Sequence, residues 1–368
     1  MKAIDSILIK LNILKDSRNL LAFSGGVDST CLFFLLLEND IDFDIAIVNY
    51  GVRKEAKKEI KYAKKLAKKY NKHIFMLDAP KIKSNFENNA RQIRYEFFER
   101  IIITYNYDTL LLAHQLNDRL EWFLMQLTKG CGLNSLLGFR EVCLSQMHFL
   151  KQSTQILTQD SPKIYRVVRP LSETSRDEIL AFLKKRKIKF FIDKSNKNLS
   201  FKRNYFRKHF SNKLIKNFQS GIINSLRYLN DDFLALYGKS EIIYIEHIAM
   251  FRRVLGDENL VNLQNLAKID NAAKYFGYVI SKKQRDEILK SQISCILGDK
   301  IIIDSNESHI FITTSDAKNS HNANFSPLKH SKNMRDKLRI AKIPPKIRPF
   351  VDEKLLKSIL TLQKAKGR

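Results

Sequence analysis

Cysteine is scarce in this 368-residue chain. The four residues, Cys31, Cys131, Cys143 and Cys295, contain no C-x-x-C pair, which argues against a zinc knuckle and a dithiol redox site and leaves them as free thiols. Glycine and proline are also few, 12 and 7, which excludes fibrous and low-complexity classes and points to a folded, helix-rich chain. Long apolar runs are missing. The longest, Cys31 to Leu37, falls far short of the roughly 20 residues that a membrane span needs. The opening "MKAIDSILIKLNILKDSRN" breaks its apolar residues with charges where a signal peptide would keep them continuous, so a cytoplasmic location is expected.

Acid is the other shortage. Asp and Glu total 38 against 65 Lys and Arg, a net charge of +27 that points to a polyanionic partner, nucleic acid first. Biased lysine usage on solvated helix faces is the plainer reading. Distribution favours the partner: Phe182 to Asn217 holds thirteen Lys/Arg and one acid, Asp193, interleaved with Phe190, Phe191, Phe201, Tyr205 and Phe206. Basic groups neutralise phosphates and aromatics offer stacking faces, although these aromatics equally suit a core.

Up to about residue 200, short β-rich runs alternate with helical ones. "LLAF", "IAIVN", "HIFML", "TLLLAH", "YRVVRPL" and "IKFFID" are the expected strands. Such alternation predicts an α/β fold, a parallel sheet with helices on both faces, whose ligands bind beyond the carboxyl ends of the strands. After Ser211 the alternation stops. The expected organisation is the α/β domain, with the candidate site, over 1–210, a mainly helical nucleic-acid-binding domain over 211–315, a polar linker over 316–328, and a small basic α+β module over 329–368 with thirteen Lys/Arg and three acids.

"SGGVDS", Ser24 to Ser29, lies between an apolar strand and a helix, where backbone N–H groups and the positive helix end converge on an anion. Gly25 and Gly26 let the backbone approach phosphate oxygens, Val27 belongs to the same binding stretch ahead of a helix expected from about Asp28, and Ser24 and Ser29 add hydroxyls. Asp28 suits a phosphate cradle if a divalent cation such as Mg²⁺ lies between carboxylate and phosphate. An ordinary N-capped turn would explain any one of these residues but not the whole hexapeptide. The stretch lacks the G-x-x-x-x-G-K-[ST] of the common P-loop. It resembles the PP-loop of ATP pyrophosphatases, which split ATP into AMP and pyrophosphate while adenylating a substrate.

Further motifs choose within that superfamily. "NFENNARQIRYEFF" (Asn85 to Phe98), "HQLNDRLEW" after the fourth strand, "KGCG" (Lys129 to Gly132), "RPL" (Arg169 to Leu171), "DKSN" (Asp193 to Asn196), "RNYFR" (Arg203 to Arg207) and "AKIPPKIRPF" (Ala341 to Phe350) follow in the order of the tRNA(Ile)-lysidine synthase family, which the chain resembles over most of its length. The resemblance implies adenylation by ATP of the wobble cytidine of an isoleucine tRNA with a CAU anticodon. The ε-amine of free lysine then attacks the ring carbon, AMP leaves, and lysidine forms. It implies ATP and Mg²⁺, with Asp28, Arg94, Asp118 and Glu121 in the chemistry.

Asp118 and Glu121, three apart on a helix, share a face that could grip an ammonium group or a metal, or simply be solvated. Arg91 and Arg94 share another beside Tyr95, suited to phosphate or base contacts or to surface ion pairs. Arg203 and Arg207, four apart, could hold a tRNA phosphate or the lysine carboxylate, the latter expected of Arg207, or form a plain basic face. His114 is equally a core histidine or a catalytic one. Departures from the family pattern are Asn117 for its first Asp, Trp122 for Thr, Lys129 and Cys131 in R-G-S-G, and Tyr50 for His. They weaken any metal role for Asn117. Rival readings are a PP-loop tRNA 2-thiocytidine synthetase, which usually carries cysteines for sulfur chemistry, an ammonia-using synthetase, which leaves the basic C-terminal half unexplained, and a non-catalytic tRNA-binding relative, which the presence of Asp28 and Glu121 disfavours. A homodimer is left open.

Overall fold

The computed structural model describes residues 14–51, 56–82, 84–139, 142–146, 164–192, 201–237, 242–256, 258–315 and 327–365. They form two compact units, Met1–Asn230 and Asp231–Arg368.

The first unit begins with β1 (Asn19–Ala22), α1 (Val27–Glu38), β2 (Phe43–Asn49), α2 (Ala56–Lys69), β3 (Ile74–Asp78), α3 (Phe86–Thr104), β4 (Thr109–Leu111) and α4 (Leu116–Leu127). The short α5 (Leu133–Leu136), β5 (Val142–Gln146), β6 (Ile164–Val168) and α6 (Arg176–Lys185) follow. The sheet order is β3-β2-β1-β4-β6-β5, with β5 antiparallel to β6 and every other pair parallel. Strand alternation divides the apolar residues between two cores. Leu21, Ile45, Ile47, Leu111 and Val168 meet α1, α2 and α6, whereas Leu20, Ala46, Leu110 and Val167 meet Tyr95, Phe98, Ile101 and Ile102 of α3. Order reverses beside β1: β2 lies on one side, β4 on the other, which makes the β1/β4 carboxyl ends the switch point where a crevice opens.

Two expectations change here. "IKFFID" is not a sheet strand; within it Phe191 makes one parallel bridge, to Gly26. "VCLSQ" pairs as the antiparallel edge β5, which its mixed composition did not suggest. "DKSN" and most of the 316–328 linker lie outside the described residues.

Next come α7 (Lys202–Phe206), a π-helical turn at Arg207–Ser211, and α8 (Asn212–Tyr237), which contains a non-helical Phe218. Leu116 and Leu120 of α4 pack with Ile215 and Leu226 of α8, so the start of α8 belongs with the parallel sheet, beyond the boundary expected at 210.

The second unit is built on β7 (Ile243–Ile245), β8 (Ile248–Arg252), β9 (Cys295–Leu297), β10 (Ile301–Ser305) and β11 (His309–Thr314), an antiparallel sheet in the order β7-β8-β11-β10-β9. Ala249, Phe251, Ile301, Ile303, Ile310 and Ile312 face α9 (Glu258–Tyr275) and α10 (Lys282–Lys290). Ile248, Met250, Ile302 and Phe311 face the other way, toward α11 (Lys332–Ile340), α12 (Glu353–Ala365) and Phe350 between them. The α+β module therefore starts well upstream of Lys329, and the basic tail is one of its two covering layers. Among the described residues no helix is long and apolar enough to cross a membrane.

Candidate active site at the carboxyl ends of the parallel strands

β1 ends at Ala22 and α1 begins at Val27, so the turn between them is the SGG stretch itself. Gly25 has φ +73, in the left-handed region, while an added Cβ would meet only ordinary contacts, 3.5 Å from Glu59 Cβ and the Phe191 ring. Backbone handedness is therefore what calls for glycine. The loop is closed on itself. Ser24 N–H donates to Ser29 Oγ (3.2 Å), Gly26 N–H donates to Ser24 Oγ (3.3 Å), and the two hydroxyls lie 3.0 Å apart. Phe191 N–H donates to Gly25 O (3.0 Å), which pins the turn from outside.

Asp28 is in the first turn of α1, where a negative charge is favoured by the helix dipole. Its Oδ2 lies 3.6 Å from Arg176 Nη1, and its buried Oδ1 has no hydrogen-bond partner. Burial, then the nearby Asp118 carboxylate, push its pKa up to about 6, against the opposing pull of Arg176, Arg207 and Arg203. A divalent cation fits this carboxylate, because an orphaned acceptor oxygen next to an anion cradle matches the one- or two-carboxylate habit of phosphate-bound Mg²⁺. Among the described residues no group of three His, Cys, Asp or Glu side chains forms a metal cage.

Across the switch point, α4 is started by a capping box: Gln115 accepts from Asn117 N–H (2.6 Å) and Gln115 N–H donates to Asp118 Oδ2 (3.1 Å). That leaves Asp118 Oδ1 for Arg203, with Arg207 at 3.5 Å. Glu121, 0% exposed, accepts from Arg203 Nε (2.9 Å) and from Arg207 Nε (2.6 Å) and Nη2 (3.0 Å). Burial raises the Glu121 pKa despite the Arg207 hydrogen bond. Burial alone would lower that of Arg203, and Asp118 and Glu121 raise it above the usual guanidinium range. The side chain of Arg203 is 44% exposed and that of Arg207 15%, so one guanidinium of this neutral foursome faces solvent and the other does not.

The expected acidic face of α4 is thus real, but each carboxylate is paired with arginine and none is left bare for an ammonium group. Arg207, expected to hold a lysine carboxylate, is engaged by Glu121. The charges of Asp118, Arg203 and Arg207 act on Asp28, and the same three act on Glu121. Arg91 stacks over Tyr95 (4.8 Å) and contributes to the field at His114. Arg94 lies by the Tyr50 hydroxyl, which donates to Ala90 O (3.0 Å). Arg176 was not singled out from the sequence. Its Ser175 cap is legible in "SRDE", but its reach to Asp28 is a tertiary contact without a local signal.

Two of the departures, Asn117 and Trp122, acquire reasons. Asn117 Nδ2 donates to Asn212 Oδ1 (2.9 Å) and its Oδ1 accepts Arg176 N–H (3.1 Å), so both ends of the amide tie helices together. Trp122 Nε1 donates to Ser135 O (2.9 Å), and its ring fills the space where a Cβ on Gly138 would sit, 2.4 Å away.

A strand–SGGxDS–helix turn facing charged residues at the switch point of a parallel sheet defines a PP-loop ATP-binding domain, and the family model for the PP-loop domain matches residues 2–214. A tRNA(Ile)-lysidine synthase of Helicobacter pylori is 40% identical over 347 residues, covering 94% of this chain and 93% of that protein. Those of Wolinella succinogenes and Campylobacter jejuni are 41% and 40% identical over 92% and 93% of this chain, covering 93% and 94% of theirs. This chain belongs to the tRNA(Ile)-lysidine synthase family.

Proposed function

We propose that the chain uses ATP to adenylate the wobble cytidine of an isoleucine tRNA with a CAU anticodon and then joins free lysine to it, as a cytoplasmic ligase. The convergence of the PP-loop carboxylate with the Asp118/Glu121/Arg203/Arg207 foursome carries the reading, because adenylation and aminolysis need an anion cradle and a charged amino-acid site within one crevice.

The loop N–H groups and the α1 amino end bind the phosphates, with Ser24 and Ser29 turning their hydroxyls from each other to the ligand. Asp28 is the residue that would hold Mg²⁺, whose charge on the phosphates makes pyrophosphate a better leaving group. Arg176 holds Asp28 in place until then. Arg91 and Arg94 serve the tRNA or the nucleotide at the α3 face. Lysine enters by exchange of ion pairs: its carboxylate takes a guanidinium, in the first place that of Arg207, and its ammonium takes the carboxylates so freed. The ε-amine must lose a proton before attack, since its free pKa is about 10.4. Arg203 and Arg207, released in part, are then available to a tRNA phosphate.

Nucleoside mass analysis after incubation of CAU-anticodon tRNA with ATP, Mg²⁺ and labelled lysine tests the proposal. Cytidine converted to lysidine with one AMP per product supports it. AMP release without lysine in the tRNA rejects it.

A further inference from the structure

His114 lies just past the end of β4, in the loop leading into α4, at the same switch point as the PP-loop. Its ring stacks on Phe139 (centroids 4.8 Å apart, 29° between planes). Arg169, itself buried, sits over the other partner of that stack, 5.3 Å from the Phe139 centroid, and its Nε–H donates to His114 Nδ1 (3.3 Å). Arginine has only donors, so Nδ1 must accept and the single proton of a neutral imidazole must reside on Nε2. An imidazolium, with protons on both nitrogens, would place an N–H against the Arg169 N–H.

We propose that Arg169 is a positioning residue that fixes His114 as the Nε2–H tautomer, so that His114 serves the reaction as a neutral hydrogen-bond donor to a reacting oxygen in the crevice and never as its base. The electrostatics agree. Burial first, opposed by Asp118 of α4 and helped by Arg169, Arg203 of α7 and Arg91 of α3, brings the His114 pKa down to about 4. A neutral donor next to arginines stabilises charge that develops on an oxygen without giving up its proton. The adenylated carbonyl oxygen and the α-phosphate oxygens are the acceptors of that class. The assignment of the reaction rests on the proposed function; the tautomer does not.

Imidazole ¹⁵N resonances of the full-length protein, with His114 identified by its loss in His114→Gln, read the tautomer directly. The expected spectrum shows protonated Nε2 and bare Nδ1 from pH 5 to 8. Arg169→Met should admit the other tautomer, raise the titration only in part because burial remains, and lower kcat for lysidine formation about tenfold with its acid limb moved to higher pH, whereas Arg169→Lys, which keeps a donor, restores part of it. His114→Gln, with an amide N–H near the Nε2 position, should retain most activity that His114→Ala loses by about 10²-fold. A proton on Nδ1 in the wild type, an unchanged tautomer in Arg169→Met, or a His114→Gln as inactive as His114→Ala overturns the proposal. Wild-type protein that makes no lysidine yet shows the Nε2–H spectrum rejects the proposed function and the catalytic part, and leaves the Arg169 lock standing.

Discussion

In the parallel sheet Leu20 and Leu21 enter opposite cores, and in the antiparallel sheet Met250 and Phe251 do the same. The two units differ in how they use buried polar groups. In the second unit these groups serve the fold. Asp304 accepts Lys346 N–H (2.9 Å), Lys346 Nζ donates to Ser294 O (2.7 Å), and Asp270 takes Lys274 and Arg285. His247 Nε2 lies 2.7 Å from Phe350 O. In the first unit, buried or half-buried charges gather at one end of the sheet. Asp28 keeps an oxygen without a partner there, as Asp270 does in the second unit, and Glu121 sits in a cluster of two carboxylates and two guanidiniums, which is proposed to admit a substrate with both charges. Desolvated ions are costly to keep. Their concentration at the β1/β4 switch point sets the first unit apart, and it is there that the reaction is proposed to run.

The sharpest break between the units is deletion of 329–368. It strips Phe350, Val351, Leu355 and Ile359 from Ile248, Met250 and Phe311, and the second unit is expected to unfold outright. Trp122, the single tryptophan, lies in the first unit. Its fluorescence should still show a cooperative transition while the helical circular-dichroism signal drops. A truncation that keeps the second sheet intact would mean that the tail only decorates it.

Asp28→Ala comes next. Loss of the PP-loop carboxylate should reduce ATP-to-AMP turnover by about 10³-fold or more in a folded protein, measured with tRNA and lysine present. Normal AMP release would remove Asp28 from the nucleotide site.

Because the tail cannot be deleted cleanly, its charge is tested by substitution. Lys332, Arg335, Arg339 and Lys357 are exposed, so replacing all four by Gln should preserve the fold and flatten the salt dependence of tRNA binding. Every phosphate left without its cation lowers the log–log slope by roughly 0.9 for duplex RNA if it behaves as B-DNA does. An unchanged slope makes this face merely solvated.

The smallest effects are opposite in sign in the two units. Asp28 binds its proton more tightly folded than unfolded, so its contribution to stability is complete below its unfolded value and is lost as pH rises through about 6. Without nucleotide, Asp28→Asn should stabilise the first unit at pH 7 by up to about 3 kcal/mol, read by Trp122 fluorescence in urea. Burial lowers the His247 pKa, against the Phe350 carbonyl and Asp352. Its contribution is present above the ordinary value and lost as pH falls through the folded one. The second unit should therefore weaken from pH 7 to 5, and His247→Gln should flatten that trend in hydrogen exchange of the β8 and β11 amides.

Much of this was legible in sequence. Short β-rich runs marked β1 to β4 and β6, SGGVDS marked the turn, and the spacing of Asp118, Glu121, Arg203 and Arg207 marked the faces that meet. What was not legible has physical causes. The β7–β8 hairpin turns at Glu246, with φ +49, where no Gly or Asn announces it. Phe191 looked like strand because it is apolar, yet its place is a single bridge against the PP-loop. Spacing gave the faces of two helices but not that they meet as ion pairs, nor that Arg176 would reach Asp28. Contacts between distant segments leave no periodic trace.

One crevice is thus proposed to hold two separable functions, a nucleotide cradle at Asp28 and an amino-acid site at Asp118 and Glu121. Rapid-quench analysis of tRNA with radiolabelled ATP and lysine, on Asp28→Ala, Asp118→Asn and Glu121→Gln side by side, separates them. Adenylated tRNA is expected to accumulate in the last two, with lysine transfer slowed about a hundredfold, and never to form in the first. Loss of adenylation in all three would refute the division and assign the pair on α4 to ATP.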